Sequence, residues 1–129
     1  MPKVRTLLAA SFLAIATTTV AAPAATRPVT VQGQLLDVTC YSAQHALGRA
    51  HGSTCGKACL KSGLPAGVLV HGHAFILLTN PRPLADYVGL TVKVVGREDA
   101  ADHTIFPKQI FRRMGAKWIS VKLHDNFHH

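Results

Sequence analysis

All three cysteines of the chain lie between Cys40 and Cys59, in a stretch that interrupts a sequence otherwise patterned as β-strands. An odd number of cysteines cannot all pair within one chain. At least one thiol is therefore free, pairs with another chain or binds a ligand. His51, Cys55 and Cys59 follow one another at intervals of four. On a helix each such interval turns the side chain by roughly 40°, which would place all three residues on one face.

Capping signals predict where this helix begins and ends. Ser53 is placed as an N-cap, and a Gly-Leu-Pro sequence after Ser62 is a typical helix stop. The predicted short helix therefore carries Cys55 and Cys59, and His51 lies just before its first turn. Cys40 ends the strand-like run before the insert and would face the helix from below.

Residues 1–24 have the pattern of a secretory signal peptide. Two basic residues precede an apolar run from Leu7 to Val20, and Ala22-Pro23-Ala24 supplies the small residues that signal peptidase needs. The alternative is a retained anchor, but the run is short and rich in Thr and Ala. We therefore expect a periplasmic or secreted protein with no membrane anchor after cleavage.

Residues 25–129 are expected to form a single domain with a polar, His-rich tail from His124 to His129. Alternating or continuous apolar residues predict short strands within 29–40, 68–70, 73–78, 91–95, 104–113 and 117–123. Gly33 suggests a bend in the first strand. Because a closed sheet has no exposed edges, the pattern favours a mainly β fold, a small OB-like barrel of five to six strands with one short helix carrying Cys55 and Cys59.

The composition disfavours several function classes. The formal net charge is +8, but the aromatic residues Tyr41, Tyr87 and Trp118 are too scattered to form a base-stacking surface. We therefore predict no nucleic-acid partner. The sequence contains no Gly-x-Ser-x-Gly, phosphate loop or Cys-x-x-Cys-His motif, and its six acidic residues form no evident pair. These observations predict a binding protein and not an enzyme.

The cysteine stretch predicts a metal site. Thiolates and imidazole bind zinc, and thiolates also suit Cu(I). Cys40, Cys55 and Cys59 are the predicted metal ligands, with His51 as the fourth and His45 as its alternative. The predicted cofactor is a copper or zinc ion, which the sequence does not distinguish.

Two other interpretations stay open. In the first, a disulfide joins two of the cysteines and stabilises an interaction module without metal, whose partner is an unidentified periplasmic protein. Closing a loop of this length contributes roughly 3 kcal/mol. In the second, the chain is a thiol–disulfide oxidoreductase. That class typically has Cys-x-x-Cys in a βαβ fold, whereas this chain has Cys-x-x-x-Cys among strands.

Three sequence segments together resemble a group of proteins. They are Gly33-Gln34-Leu35-Leu36-Asp37, the stretch from Leu84 to Gly96, and the Cys-Tyr…His-x-x-x-Cys-x-x-x-Cys insert. The chain resembles small exported bacterial proteins with an OB-like barrel, related in pattern to the anticodon-binding type of OB domain. The resemblance covers about residues 29–123. It implies a fold and an exported location, and it implies no activity.

Overall fold

The computed structural model describes residues 20–21 and 25–123 of the chain. The predicted signal peptide, apart from residues 20–21, and the His-rich tail lie outside the described residues. The described chain contains six strands and three α-helices. The strands are β1 (Thr26–Asp37), β2 (Ala66–Val70), β3 (His73–Leu77), β4 (Thr91–Asp99), β5 (Thr104–Met114) and β6 (Lys117–Val121). The helices are α1 (Val38–Gln44), α2 (Gly48–His51) and α3 (Lys57–Ser62), with a π-helical turn (Gly52–Gly56) and a 3₁₀ helix (Arg82–Tyr87).

The six strands form one sheet in the order β3-β2-β1-β4-β5-β6, with antiparallel neighbours. A short parallel pairing between β3 and β5 joins Ile76 to Thr104 and Leu77 to Ile105. Strands β1 to β5 therefore form a partial ring, and β6 lies outside it. The predicted mainly β class and the predicted strand number are confirmed.

Strand β1 is shared between two neighbours. It pairs with β4 as far as Gln34 and with β2 from Gln34 to Asp37. Gly33 lies at this change of partner. A β-carbon there would be 2.0 Å from the carbonyl oxygen of Leu69, so only glycine allows β2 to approach this closely.

The hydrophobic core lies inside the partial ring and extends to the helical insert. Its members are buried aliphatic side chains from all six strands, α3, the 3₁₀ helix and the loop that follows it: Leu35, Leu60, Ala66, Val68, Leu77, Leu84, Ala85, Val88, Val92, Val94, Ile105, Ile110 and Val121. Leu60 of α3 and Leu84 of the 3₁₀ helix are fully buried, so the insert is packed onto the sheet by apolar burial.

The connection between β1 and β2 differs from the prediction. Cys40 does not end a strand but lies in α1, because Asp37 caps that helix and ends β1. The predicted single helix carrying both other cysteines is not confirmed, since Cys55 lies in the π-helical turn and Cys59 in α3. Gly63 caps α3 with a left-handed backbone, as predicted.

No helix within residues 20–21 and 25–123 combines the length and the hydropathy that crossing a bilayer requires.

Candidate metal centre

Asp37 lies at the junction of β1 and α1, and its side chain is fully buried. Oδ1 accepts a hydrogen bond of 3.0 Å from the backbone N–H of Thr39, which is the usual N-cap interaction. Oδ2 is also buried and has no hydrogen-bond partner. Oδ1 therefore caps helix α1, and Oδ2 is available to a ligand.

Cys40 lies three residues after Asp37, so both side chains lie on one side of the first turn of α1. The Cys40 thiol is half-buried and free. Interaction of the thiol with the neighbouring Asp37 carboxylate, together with desolvation, raises the pKa of Cys40 to about 12. The metal-free protein therefore holds Cys40 as a protonated thiol next to the carboxylate.

His51 approaches Asp37 from the end of α2. Its Nε2 lies 3.9 Å from Asp37 Oδ2, which is too long for a hydrogen bond. The His51 side chain is 18% exposed, and Nε2 is buried without a partner. His51 Nε2 and Asp37 Oδ2 are thus two buried polar atoms that face each other without forming a hydrogen bond.

Two glycines set the position of His51. A β-carbon on Gly52 would lie 2.0 Å from the carbonyl oxygen of Val88, and one on Gly56 would lie 2.6 Å from Val88 Cγ1. The π-helical turn therefore packs directly on the loop after the 3₁₀ helix. Since His51 immediately precedes this turn, the contact with Val88 holds the imidazole near Asp37.

The π-helical turn also separates Cys55 from the group. The backbone N–H of Lys57 donates to the carbonyl of Gly52, five residues earlier, so the turn contains one residue more than an α-helical turn. An interval of four across it no longer returns to the same face, and Cys55 is exposed. The predicted stripe of His51, Cys55 and Cys59 is therefore not formed.

Cys59, in α3, is a half-buried free thiol beside Asp37 and Cys40. Burial raises the pKa of Cys59, and the neighbouring Asp37 carboxylate raises it further. The neighbouring Cys40 thiol acts in the opposite direction. The second thiol thus borders the group formed by Asp37, Cys40 and His51.

The ligand atoms of Asp37, Cys40 and His51 all lie within 4.8 Å of one another. This group of carboxylate, thiol and imidazole lies close enough to bind a metal ion. Of the four predicted ligands, the structure brings Cys40 and His51 into the group, places Cys59 at its border and leaves Cys55 at the surface.

His45, the predicted alternative to His51, is not a member of this group. It ends α1 with a left-handed backbone conformation and packs against the ring of Tyr41, with 5.4 Å between ring centroids.

Asp37 was not predicted from the sequence as a ligand. Its signal was an acidic residue at the end of an apolar strand, three residues before a cysteine, in a chain with only six acidic residues.

Comparison of the chain with known protein families, curated proteins and solved structures finds no match.

Proposed function

We propose that this protein is an exported metal-binding protein whose ion is held by Asp37, Cys40 and His51, with Cys59 as the fourth ligand. The observation that carries the proposal is the pair of buried atoms, Asp37 Oδ2 and His51 Nε2, that lack any hydrogen-bond partner. Buried polar atoms cost free energy when they are unpaired. An ion between them would satisfy both.

The distance between these two atoms suits a single ion. In a tetrahedral zinc site an oxygen and a nitrogen ligand lie roughly 3.4 Å apart, so the separation of 3.9 Å would have to shorten by about half an ångström. One ion can therefore contact both atoms with little movement of the protein.

The donor set favours zinc over copper. Zinc accepts carboxylate, imidazole and thiolate together in four-coordinate sites. Cu(I) prefers sulfur donors, and a carboxylate oxygen adds little for it. The unexpected presence of Asp37 in the group therefore supports Zn²⁺ as the ion. With Cys59 as the fourth donor, the set is Asp, Cys, Cys and His, which is the closed type found in structural or storage sites.

The OB-like interpretation of the sheet belongs to the same proposal. The partial ring follows the order β1-β2-β3-β5-β4 and returns to β1, with β3 and β5 parallel. This arrangement supports a small OB-like barrel in which the connection between β1 and β2 is the metal-binding insert. The signal-peptide pattern of residues 1–24 supports export.

Metal titration of the full-length, metal-free protein tests the proposal. Zn²⁺ binding is measured by calorimetry under reducing conditions, and Co²⁺ substitution reports thiolate ligation through its absorption bands. We expect one Zn²⁺ per chain, and we expect His51→Ala to weaken binding by at least about tenfold. His45→Ala is the matched control and should bind as the parent protein does. Equal affinity of the His51→Ala variant and the parent would refute the assignment.

A further inference from the structure

A basic and aromatic surface lies on the opposite side of the sheet from the core. In β4, Val92 and Val94 point into the core, so Lys93 points outward. In β5, Ile110 is buried, and Phe111 lies on the outward side. We call the surface formed by Lys93, Phe111, Arg113 and Trp118 the basic–aromatic face.

Strand pairing assembles this face. Lys93 is directly opposite Phe111, and Arg113 is directly opposite Trp118. The Lys93 ammonium lies 4.7 Å from the centre of the Phe111 ring and 5.1 Å from that of Trp118. The Arg113 guanidinium lies 5.9 Å from the centre of the Trp118 ring. The sequence separates these four residues, but the sheet places them side by side.

The face carries positive charge with no acidic residue beside it on its own strands. Acidic residues are absent from Thr91–Val95 of β4 and from all of β5 and β6. The two acidic residues of β4 lie at its far end, where Glu98 is buried and paired with Arg27 and Asp99 accepts a hydrogen bond from the backbone N–H of Ala101. The charge of the face therefore favours an anionic partner.

We propose that the basic–aromatic face binds the surface of a bilayer that contains anionic phospholipids. Phe111 and Trp118 are half-buried, and rings of this kind favour the boundary between headgroups and acyl chains. Lys93 and Arg113 supply the cations that attract anionic headgroups.

The same geometry disfavours single-stranded nucleic acid. Base stacking needs free ring faces, and Lys93 and Arg113 already lie over the rings of Phe111 and Trp118. The proposal does not depend on the metal centre, because the face contains none of the candidate ligands.

Trp118 is the only tryptophan of the chain, so intrinsic fluorescence reports on this face directly. The mature protein, without residues 1–24, is mixed with phosphatidylglycerol vesicles, with phosphatidylcholine vesicles and with vesicles of brominated phosphatidylglycerol. We expect a blue shift only with phosphatidylglycerol, quenching by the brominated lipid and loss of both effects at high salt. If vesicles bind but Trp118 stays unquenched, the contact lies elsewhere on the chain and the proposal is overturned.

A pair of double variants gives a second test. Lys93→Gln with Arg113→Gln should lower the vesicle partition coefficient about 25-fold, since each cation near the surface contributes about a factor of five. Arg49→Gln with Lys61→Gln removes the same charge from exposed positions of the helical insert and should change partitioning less than about twofold. Equal losses in both variants would contradict a defined face. A Trp118 shift with oligo(dT) but not with vesicles would assign the face to nucleic acid instead.

Discussion

Asp37 Oδ2 and His51 Nε2 face each other 3.9 Å apart, and each is buried without a hydrogen-bond partner. The two residues come from different elements, the end of β1 and the end of α2. Leaving two such atoms unpaired destabilises the metal-free fold. Buried polar atoms without partners are typical of a binding site, because the ligand supplies the partner that the protein itself does not provide.

The first prediction concerns Asp37→Asn. Asparagine also caps helices well, so α1 keeps its N-cap, while the negative charge and the free carboxylate oxygen are lost. We expect the metal-free variant to be at least as stable as the parent protein in thermal unfolding, because a buried, incompletely paired carboxylate is removed. Zn²⁺ affinity should fall by at least about tenfold.

Asp86→Asn is the matched control for this variant. Asp86 is exposed, and its ion pair with Lys57 lowers the pKa of its carboxyl group. Breaking this surface pair should cost less than about 1 kcal/mol and leave metal affinity unchanged. A metal-free Asp37→Asn protein that unfolds well below the parent temperature would show that the carboxylate has a purely structural role.

The second prediction concerns the chemical reactivity of the thiols. In the metal-free protein, an alkylating reagent at pH 8 should modify exposed Cys55 before Cys40 and Cys59. Because the neighbouring Asp37 carboxylate and desolvation raise the pKa of Cys40 to about 12, its thiolate fraction is small at pH 8 and grows about tenfold per pH unit.

Asp37→Asn tests the cause of this low reactivity. Removing the carboxylate lowers the pKa of Cys40 and should accelerate its alkylation, while the rate at Cys55 stays the same. Peptide mass mapping at timed intervals measures both rates. Faster modification of Cys40 than of Cys55 in the parent protein would show that the Cys40 thiol is neither shielded nor held protonated by Asp37.

The third prediction concerns Gly52→Ala. The added β-carbon would lie 2.0 Å from the Val88 carbonyl oxygen, so the π-helical turn must move away from the loop. We expect a loss of about 1–3 kcal/mol in the free energy of unfolding, measured by denaturant titration. His51 moves with the turn, so metal affinity should fall in parallel.

Ser53→Ala is the control in the same turn. Ser53 is exposed, and its hydroxyl donates a single bond of 3.2 Å to the Ala50 carbonyl. Its loss should change stability by less than about 0.5 kcal/mol. If the alanine at Gly52 changes neither stability nor affinity, the contact with Val88 does not position His51.

The fourth prediction concerns metal removal. An ion that binds only the folded state stabilises it by mass action, by about 2.7 kcal/mol at a free concentration one hundred times the dissociation constant. Thermal unfolding with Zn²⁺ and then with excess chelator should therefore show a reversible shift in Tm. The His51→Ala variant should lose most of this shift. A parent Tm that is independent of Zn²⁺ would speak against the metal centre.

Much of the sheet could be predicted from the sequence. Apolar alternation at Ile119 and Val121 marks β6, and this signal is local, because side chains of a strand alternate between core and solvent. The predicted end of the fourth strand at Val95 is wrong, since β4 continues through Gly96 to Asp99 with a change of register between Val95 and Gly96. The pairing of β3 with β5 has no such local signal, since it joins distant segments by only two residue pairs.

The site was less accessible to sequence reasoning. Val38 and Thr39 are β-branched and suggested a continuing strand, whereas the Asp37 cap starts a helix there. The interval of four between His51 and Cys55 suggested one helical face, and the π-helical turn breaks it. An i→i+5 hydrogen bond leaves no mark on the hydrophobic pattern. It depends here on Gly52 packing against Val88, about 36 residues away in the sequence.

Cys40, His51 and Cys59 belong to the connection between β1 and β2, and Asp37 is the last residue of β1 before it. This connection could be grafted onto another β-sheet protein whose corresponding strands are joined by a plain hairpin. The connection alone would not keep its conformation, because Gly52 and Gly56 pack against Val88, which lies outside it. A functional graft would therefore have to include two segments, the connection between β1 and β2 and the loop around Val88.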